Sequence, residues 1–125
     1  MKKNILLVED DSFLQQLYKD LLLQEGYAVT TAGDGEKAFD LLVLNNWDLV
    51  LLDVILPKLS GFEILKKLTE ESKIKLKCPV ILMTNLDSTE SDRSQLEQAD
   101  DYWIKSSMSP PDFISKVHSI LKGSI

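Results

Sequence analysis

Residues 48–57 read DLVLLDVILP. Val50, Leu51 and Leu52 form a short, unbroken apolar run, the pattern of a strand buried on both faces of a sheet. Asp53 follows at once, where such a strand gives way to its loop, and Pro57 turns the chain away. An ionised carboxylate beside a core is costly unless something pairs with it. The stretch therefore sets two expectations. One is a central strand in a buried sheet. The other is an acidic group at its carboxyl end that needs a countercharge.

Outward from this strand, apolar runs alternate with helical periodicities through the whole chain. Asn4 to Val8, Ala28 to Ala32, Val80 to Thr84 and Asp101 to Lys105 read as further strands. Ser12 to Glu25 carries Phe13, Leu14, Leu17, Tyr18, Leu21 and Leu22 at helical spacing. Ser12 with Gln15 resembles a capping box at its start, and Gly26 suits its stop. Glu36 to Asn45 predicts a second helix with Ala38, Phe39, Leu41 and Leu42 inward. Ser60 with Glu63 opens a third, which continues to about Glu71. Asp87 or Ser88 opens a polar fourth helix reaching about Gln98. Ser109, Pro110, Pro111 and Asp112 start a fifth, with Phe113, Ile114, Val117, Ile120 and Leu121 on its apolar face. Five strand–helix units predict an α/β domain with a parallel sheet and right-handed crossovers, the first and third strands central.

A chain of 125 residues suits one domain with a sizeable core. No apolar run approaches the roughly 20 residues that span a bilayer. The start, MKKNILLVEDD, looks briefly like a signal peptide, but its apolar run is short and ends in three acids. Cys78 is the single cysteine, so no internal disulfide forms and an intracellular, cytoplasmic setting is expected. The net charge of −6 argues against nucleic-acid binding by this domain, because a phosphate backbone demands a basic patch.

Open α/β sheets place their sites outside the carboxyl ends of the strands. The first strand ends in Glu9, Asp10 and Asp11, the third in Asp53, the fourth in Thr84 and the fifth in Lys105. Each has a plainer role alone: a charge run at a helix start, a turn residue, a strand former, a solvated lysine. Four strand ends carrying complementary groups are harder to explain that way. Clustered carboxylates repel unless a cation joins them, and an all-oxygen donor set suits Mg2+ with its waters. Carboxylate, metal, hydroxyl and ammonium together can hold a phosphoryl group on a carboxylate oxygen.

With these residues in place, the chain resembles the receiver domain of two-component response regulators over essentially its whole length, 1–125. The matching parts are ILLVEDD, LVLLDVILPKLSG, PVILMT and DDYWIK, in the family's order. The resemblance implies a five-stranded parallel sheet of flavodoxin-like, doubly wound order 2-1-3-4-5 with five helices. It implies that Asp53 accepts a phosphoryl group from a sensor histidine kinase or phosphotransfer protein. Glu9, Asp10, Asp53 and the backbone carbonyl of Ile55 would organise Mg2+, with Glu9 acting through water. Thr84 and Lys105 would contact phosphoryl oxygens, and Tyr102 would move inward with Thr84 as the switch. The face made by the fourth helix, fifth strand and fifth helix would signal to a downstream protein target, a phosphorylation-dependent dimer being one form of output. Such a domain is not an enzyme beyond its own phosphoryl transfer and dephosphorylation, and has no membrane role.

Three features depart from the family's pattern. Asn85 follows the threonine where a small residue is usual. Ser106 follows the lysine where proline with a cis bond is usual, and a cis bond to a non-proline costs about 2.5 to 4 kcal/mol. LEQADDY lacks the glycine that commonly precedes ADDY. Asn85 and Ser106 are the support for an alternative, a receiver-like protein-interaction module that works without phosphorylation. An aspartyl phosphohydrolase is a weaker alternative, because Ile55 stands where such enzymes carry their second aspartate. No glycine-rich nucleotide motif is present.

Overall fold

The 48–57 stretch lies at the middle of the molecule. In the computed structural model, which describes residues 2–85 and 99–122, five strands form one sheet: β1 (Asn4–Val8), β2 (Ala28–Ala32), β3 (Leu49–Asp53), β4 (Val80–Thr84) and β5 (Asp101–Ile104). Every neighbouring pair is parallel, in the order β2-β1-β3-β4-β5, which is the flavodoxin-like order. Four α-helices occur among the described residues: α1 (Ser12–Gln24), α2 (Gly35–Leu42), α3 (Gly61–Lys66) and α4 (Pro110–Lys122). The helix expected from Asp87 or Ser88 to about Gln98 lies outside the described residues. Among those described, no helix is long and apolar enough to cross a membrane.

Successive side chains of a strand point to opposite faces, so the apolar runs feed two cores. Leu6, Val8, Val50, Leu52 and Leu82 pack with Ala38 and Leu42 of α2 and Ile64 and Leu65 of α3. Ile5, Leu7, Leu49, Leu51, Ile81 and Met83 pack with Tyr18 and Leu22 of α1 and Phe113 and Val117 of α4. Helices on both faces are why the central strands read as continuous runs rather than as alternation. Phe113 joins α4 to both neighbours, its ring 4.6 Å from that of Tyr18 and edge-on to Trp103 at 6.2 Å. His118, nearer the end of α4, hydrogen-bonds the Tyr27 hydroxyl and Glu25, tying the helix to the α1–β2 junction.

The start signals hold at α3 and α4 and fail at α1, whose stop signal at Gly26 holds. Ser60 and Glu63 form the expected reciprocal box, and Ser109 with Asp112 does the same for α4. Past α1, Gly26 takes a φ of 89°. The N–H groups of Gly26 and Tyr27 donate to the carbonyls of Leu23 and Leu22, the Schellman arrangement that only a left-handed residue permits cheaply. The expected Ser12–Gln15 box is absent. Asp11 is the cap, with extended backbone and a carboxylate accepting from the Leu14 N–H at 3.0 Å, while Ser12 is already helical. Asp11→Ala is accordingly expected to cost about 1 kcal/mol in chemical denaturation and Ser12→Ala almost nothing. The reverse ranking would return the cap to Ser12.

Phe13, expected to face inward, is 74% exposed. It lies five positions before Tyr18, which at about 100° per residue is roughly 140° round the helix from the buried face. α2 begins one residue earlier than expected, because Asp34 caps it by accepting from the Lys37 N–H at 2.8 Å. It ends at Leu42 rather than Asn45, which takes a φ of 51° in the following turn. α3 passes into a wider π-type turn, Lys67–Glu71, and so reaches its expected end. β5 ends at Ile104 because Lys105 opens a tight turn to Ser107.

Candidate functional site

The parallel sheet brings four strand ends to one edge, and each delivers a polar group. Beyond β1 the ladder continues through the Glu9 N–H, which donates to the Ala32 carbonyl at 3.0 Å. The Glu9 side chain therefore hangs beside the sheet, 1% exposed. Asp10 follows at the surface. The Asp11 N–H donates to Glu9 Oε2 at 3.2 Å, fixing the turn. Asp53 ends β3 and is 5% exposed, with the Ile55 N–H donating to Oδ1 at 3.3 Å. A side chain at Gly61 would place its Cβ 2.6 Å from the Asp53 carbonyl oxygen, so the loop closes tightly only over glycine. Thr84 ends β4, buried, and Lys105 stands just past β5.

Lys105 is the pivot of the cleft. Its ammonium donates to Glu9 Oε1 at 2.5 Å and to Asp53 Oδ2 at 2.9 Å, with all three side chains under 10% exposed. Burial pushes the Glu9 carboxyl up to about 7, Asp53 adding to that rise and Lys105 pulling against it. Burial works to lower the Lys105 ammonium, but its bonds to Glu9 and Asp53 outweigh this and the net shift is upward. Three carboxylates thus face one ammonium across an open cleft of about 300 Å³, whose wall includes Thr84, Ile55 and Asn85. Oxygens of Glu9, Asp10 and Asp53 lie within 4.8 Å of one another. Such a set, uncompensated by Lys105 alone, fits a hard divalent cation that keeps some of its waters.

Of the residues singled out in the sequence, Glu9, Asp10, Asp53, Ile55, Thr84 and Lys105 line this one cleft. Tyr102 does not line it: on β5, three residues before Lys105, it is 37% exposed. Asp11 serves as the helix cap described above. Lys105–Ser106 is trans, as are all peptide bonds among the described residues, and the Met108 N–H closes the turn onto the Lys105 carbonyl at 3.2 Å. Gln15 is a participant that reading the sequence missed. Its Nε2 donates to the Glu9 carbonyl at 2.8 Å, bracing the acidic turn from α1. The signal was a polar residue close to the buried stripe of a helix, here spent on a capping box that does not form.

A doubly wound α/β sheet with its polar groups gathered at the carboxyl edge defines a class of site, one that binds at a switch point of the strand order. Within that class the chain belongs to the response regulator receiver domain family, whose profile matches residues 5–118. It is 38% identical to the alkaline phosphatase synthesis transcriptional regulatory protein PhoP of Bacillus subtilis over 125 residues, 99% of this chain and 50% of that protein. It is 38% identical to the transcriptional regulatory protein CpxR of Escherichia coli over 120 residues, 96% of this chain and 50% of that protein. The chain therefore spans about half the length of the curated relatives it matches. The receiver domain of Francisella response regulator 1452 superposes with a TM-score of 0.83 at 31% identity, covering 99% of this chain and 100% of that one. A two-component response regulator from Clostridium difficile gives 0.83 at 28% identity, covering 97% of both.

Proposed function

We propose that this domain accepts a phosphoryl group on Asp53 from a phosphohistidine of a sensor kinase or phosphotransfer protein. An Asp53 carboxylate oxygen attacks phosphorus, the phosphorus–nitrogen bond breaks, and the imidazole leaves with its electron pair. What carries this reading is the Lys105 ammonium, 2.9 Å from Asp53 in a water-accessible cleft that also holds Thr84. Lys105 anchors the nucleophile and remains as countercharge to the transferred oxygens, and Thr84 offers them a hydroxyl. Glu9, Asp10, Asp53 and the Ile55 carbonyl are the groups that would hold Mg2+. When bound, the ion supplies positive charge to neutralise the phosphoryl oxygens.

The phosphoryl group brings about −1.5 to −2 charges into the cleft, and only groups that gain contacts with it can shift a conformational equilibrium. Thr84 and Lys105 are those groups. Tyr102, exposed on β5 three residues before Lys105, is the side chain that would carry their movement to the β5–α4 face, where a downstream protein would read it.

The decisive experiment incubates the protein with acetyl phosphate and Mg2+ and measures intact mass. One phosphoryl adduct is expected, dependent on Mg2+ and absent from Asp53→Asn. No adduct on the parent protein, or an undiminished adduct on Asp53→Asn, would overturn the reading.

A further inference from the structure

The loop that follows Asp53 is strained, and it is held from outside the cleft. Lys58 has a φ of 72°, and the Leu59 N–H donates to the Pro57 carbonyl at 2.9 Å. Together these define a γ-turn with a lysine at its centre. γ-Turns with positive φ at the central residue are rare and strained, and such strain persists only where the surroundings over-determine it.

The surroundings here are the start of α2. The Gly35 N–H donates to the same Pro57 carbonyl at 3.0 Å. A Cβ on Gly35 would lie 2.5 Å from the Leu59 Cβ, 2.8 Å from its Cα and closer still to its carbonyl oxygen. Two of those three atoms are backbone, so no change of rotamer would relieve the clash. Lys58 also pairs with Asp34 at 3.8 Å and Glu36 at 3.5 Å. Exposed pairs of this kind contribute little, which leaves the shared carbonyl and the close approach as the real restraint. The loop is closed on its other side by the Gly61 N–H, which donates to the Val54 carbonyl at 2.8 Å. Its first residues flank Asp53, and its far turn rests on Gly35.

We infer that Gly35 is a positioning residue for the phosphoacceptor loop. By admitting the Leu59 backbone and sharing the Pro57 carbonyl, it fixes the γ-turn and, through it, the backbone of Ile55 beside Asp53. The inference rests on Asp53 being the acceptor. It assigns to α2, which contributes nothing to the cleft itself, control over the geometry of the reaction.

The test is Gly35→Ala in the whole chain, with the rate of phosphorylation by acetyl phosphate followed by intact mass across a Mg2+ titration. Misplacing a reacting group by about 1 Å can cost on the order of 100-fold. A fall of at least about 10-fold is expected at temperatures where the variant melts cooperatively and is folded, together with a higher Mg2+ midpoint. Lys58→Gly in the same background frees the turn to re-seat around the new methyl and should recover part of the rate. Lys58→Gly alone should stay within about twofold of the parent. A folded Gly35→Ala protein with the parent's rate and midpoint overturns the inference. So does a loss of rate that stabilisation by an osmolyte fully restores.

If Gly35→Ala does not fold, amide exchange in the parent protein decides. The Gly35 amide should exchange more slowly when the site is loaded with beryllofluoride and Mg2+, and an unchanged rate overturns the coupling. A parent protein that takes no phosphoryl group removes the reading of Asp53 beneath the inference. That result is distinct from a labelled parent beside an equally labelled variant.

Discussion

Replacing Lys105 with methionine is expected to cost the metal-free domain about 3 kcal/mol of stability at pH 8, the low end of what stranding one side of a buried ion pair costs. The reason lies in what is left behind. Glu9 and Asp53 would lose the donor that sits 2.5 Å and 2.9 Å from them, and neither is exposed enough for water to replace it. The low end applies because Glu9 has an escape: its pKa is already raised from 4.5 to about 7, and it can take up a proton instead of remaining charged. A carboxyl whose folded pKa lies above its unfolded value contributes stability that is fully present below the unfolded pKa. That contribution is lost as pH rises through the folded one. Without Lys105 the folded pKa rises further, so the deficit of the variant should widen from pH 6 to pH 8.

Mg2+ held by Glu9, Asp10 and Asp53 as proposed would supply the missing charge, so millimolar Mg2+ should recover more stability in Lys105→Met than in the parent. Urea denaturation at several pH values, in EDTA and in Mg2+, reads both effects. A deficit that is flat with pH, or equal stabilisation of both proteins by Mg2+, would show that Lys105 is not the cleft's internal countercharge.

The fold was legible because the strands carry their environment in their composition. Val50 to Leu52 and Val80 to Met83 are unbroken apolar runs, which is what helices on both faces demand. The carboxyl-edge rule then names the cleft without any coordinates, since Glu9, Asp53, Thr84 and Lys105 each follow or end a strand. What could not be read is what depends on distance between segments. The contact of Lys105 with Glu9 spans the first and last strands, and nothing local to either residue announces it. Asp11 and Ser12 are both good caps by type, and only the backbone at Asp11 decides between them. Phe13 reads as inward when apolar residues are counted, but not when its angle to Tyr18 is worked out. Gly35 goes unnoticed just before the helix expected from Glu36, because the Leu59 backbone that requires it belongs to a loop more than twenty residues away.

Mg2+ affinity should rise steeply with pH through the range where Glu9 loses its proton, approaching tenfold per unit below pH 7 and levelling off above it. With the carboxyl raised to about 7 by burial, acid fills the cleft with a proton that a cation must displace. Neutralising Glu9 also removes one of the three charges that attract the cation, and frees Lys105 to lean on Asp53 alone. From pH 7 to pH 5 the apparent affinity should therefore fall by up to about 100-fold. Binding at pH 6 should release protons, visible as a dependence of the calorimetric heat on the buffer's own ionisation enthalpy. Glu9→Gln separates this cause from a general loss of structure in acid. The variant should bind Mg2+ more weakly than the parent at pH 8, yet with little change between pH 7 and pH 5. A parent profile flat below pH 7 would mean that the Glu9 proton does not compete with the metal. A slope retained in Glu9→Gln would place the competing proton on another group in the cleft.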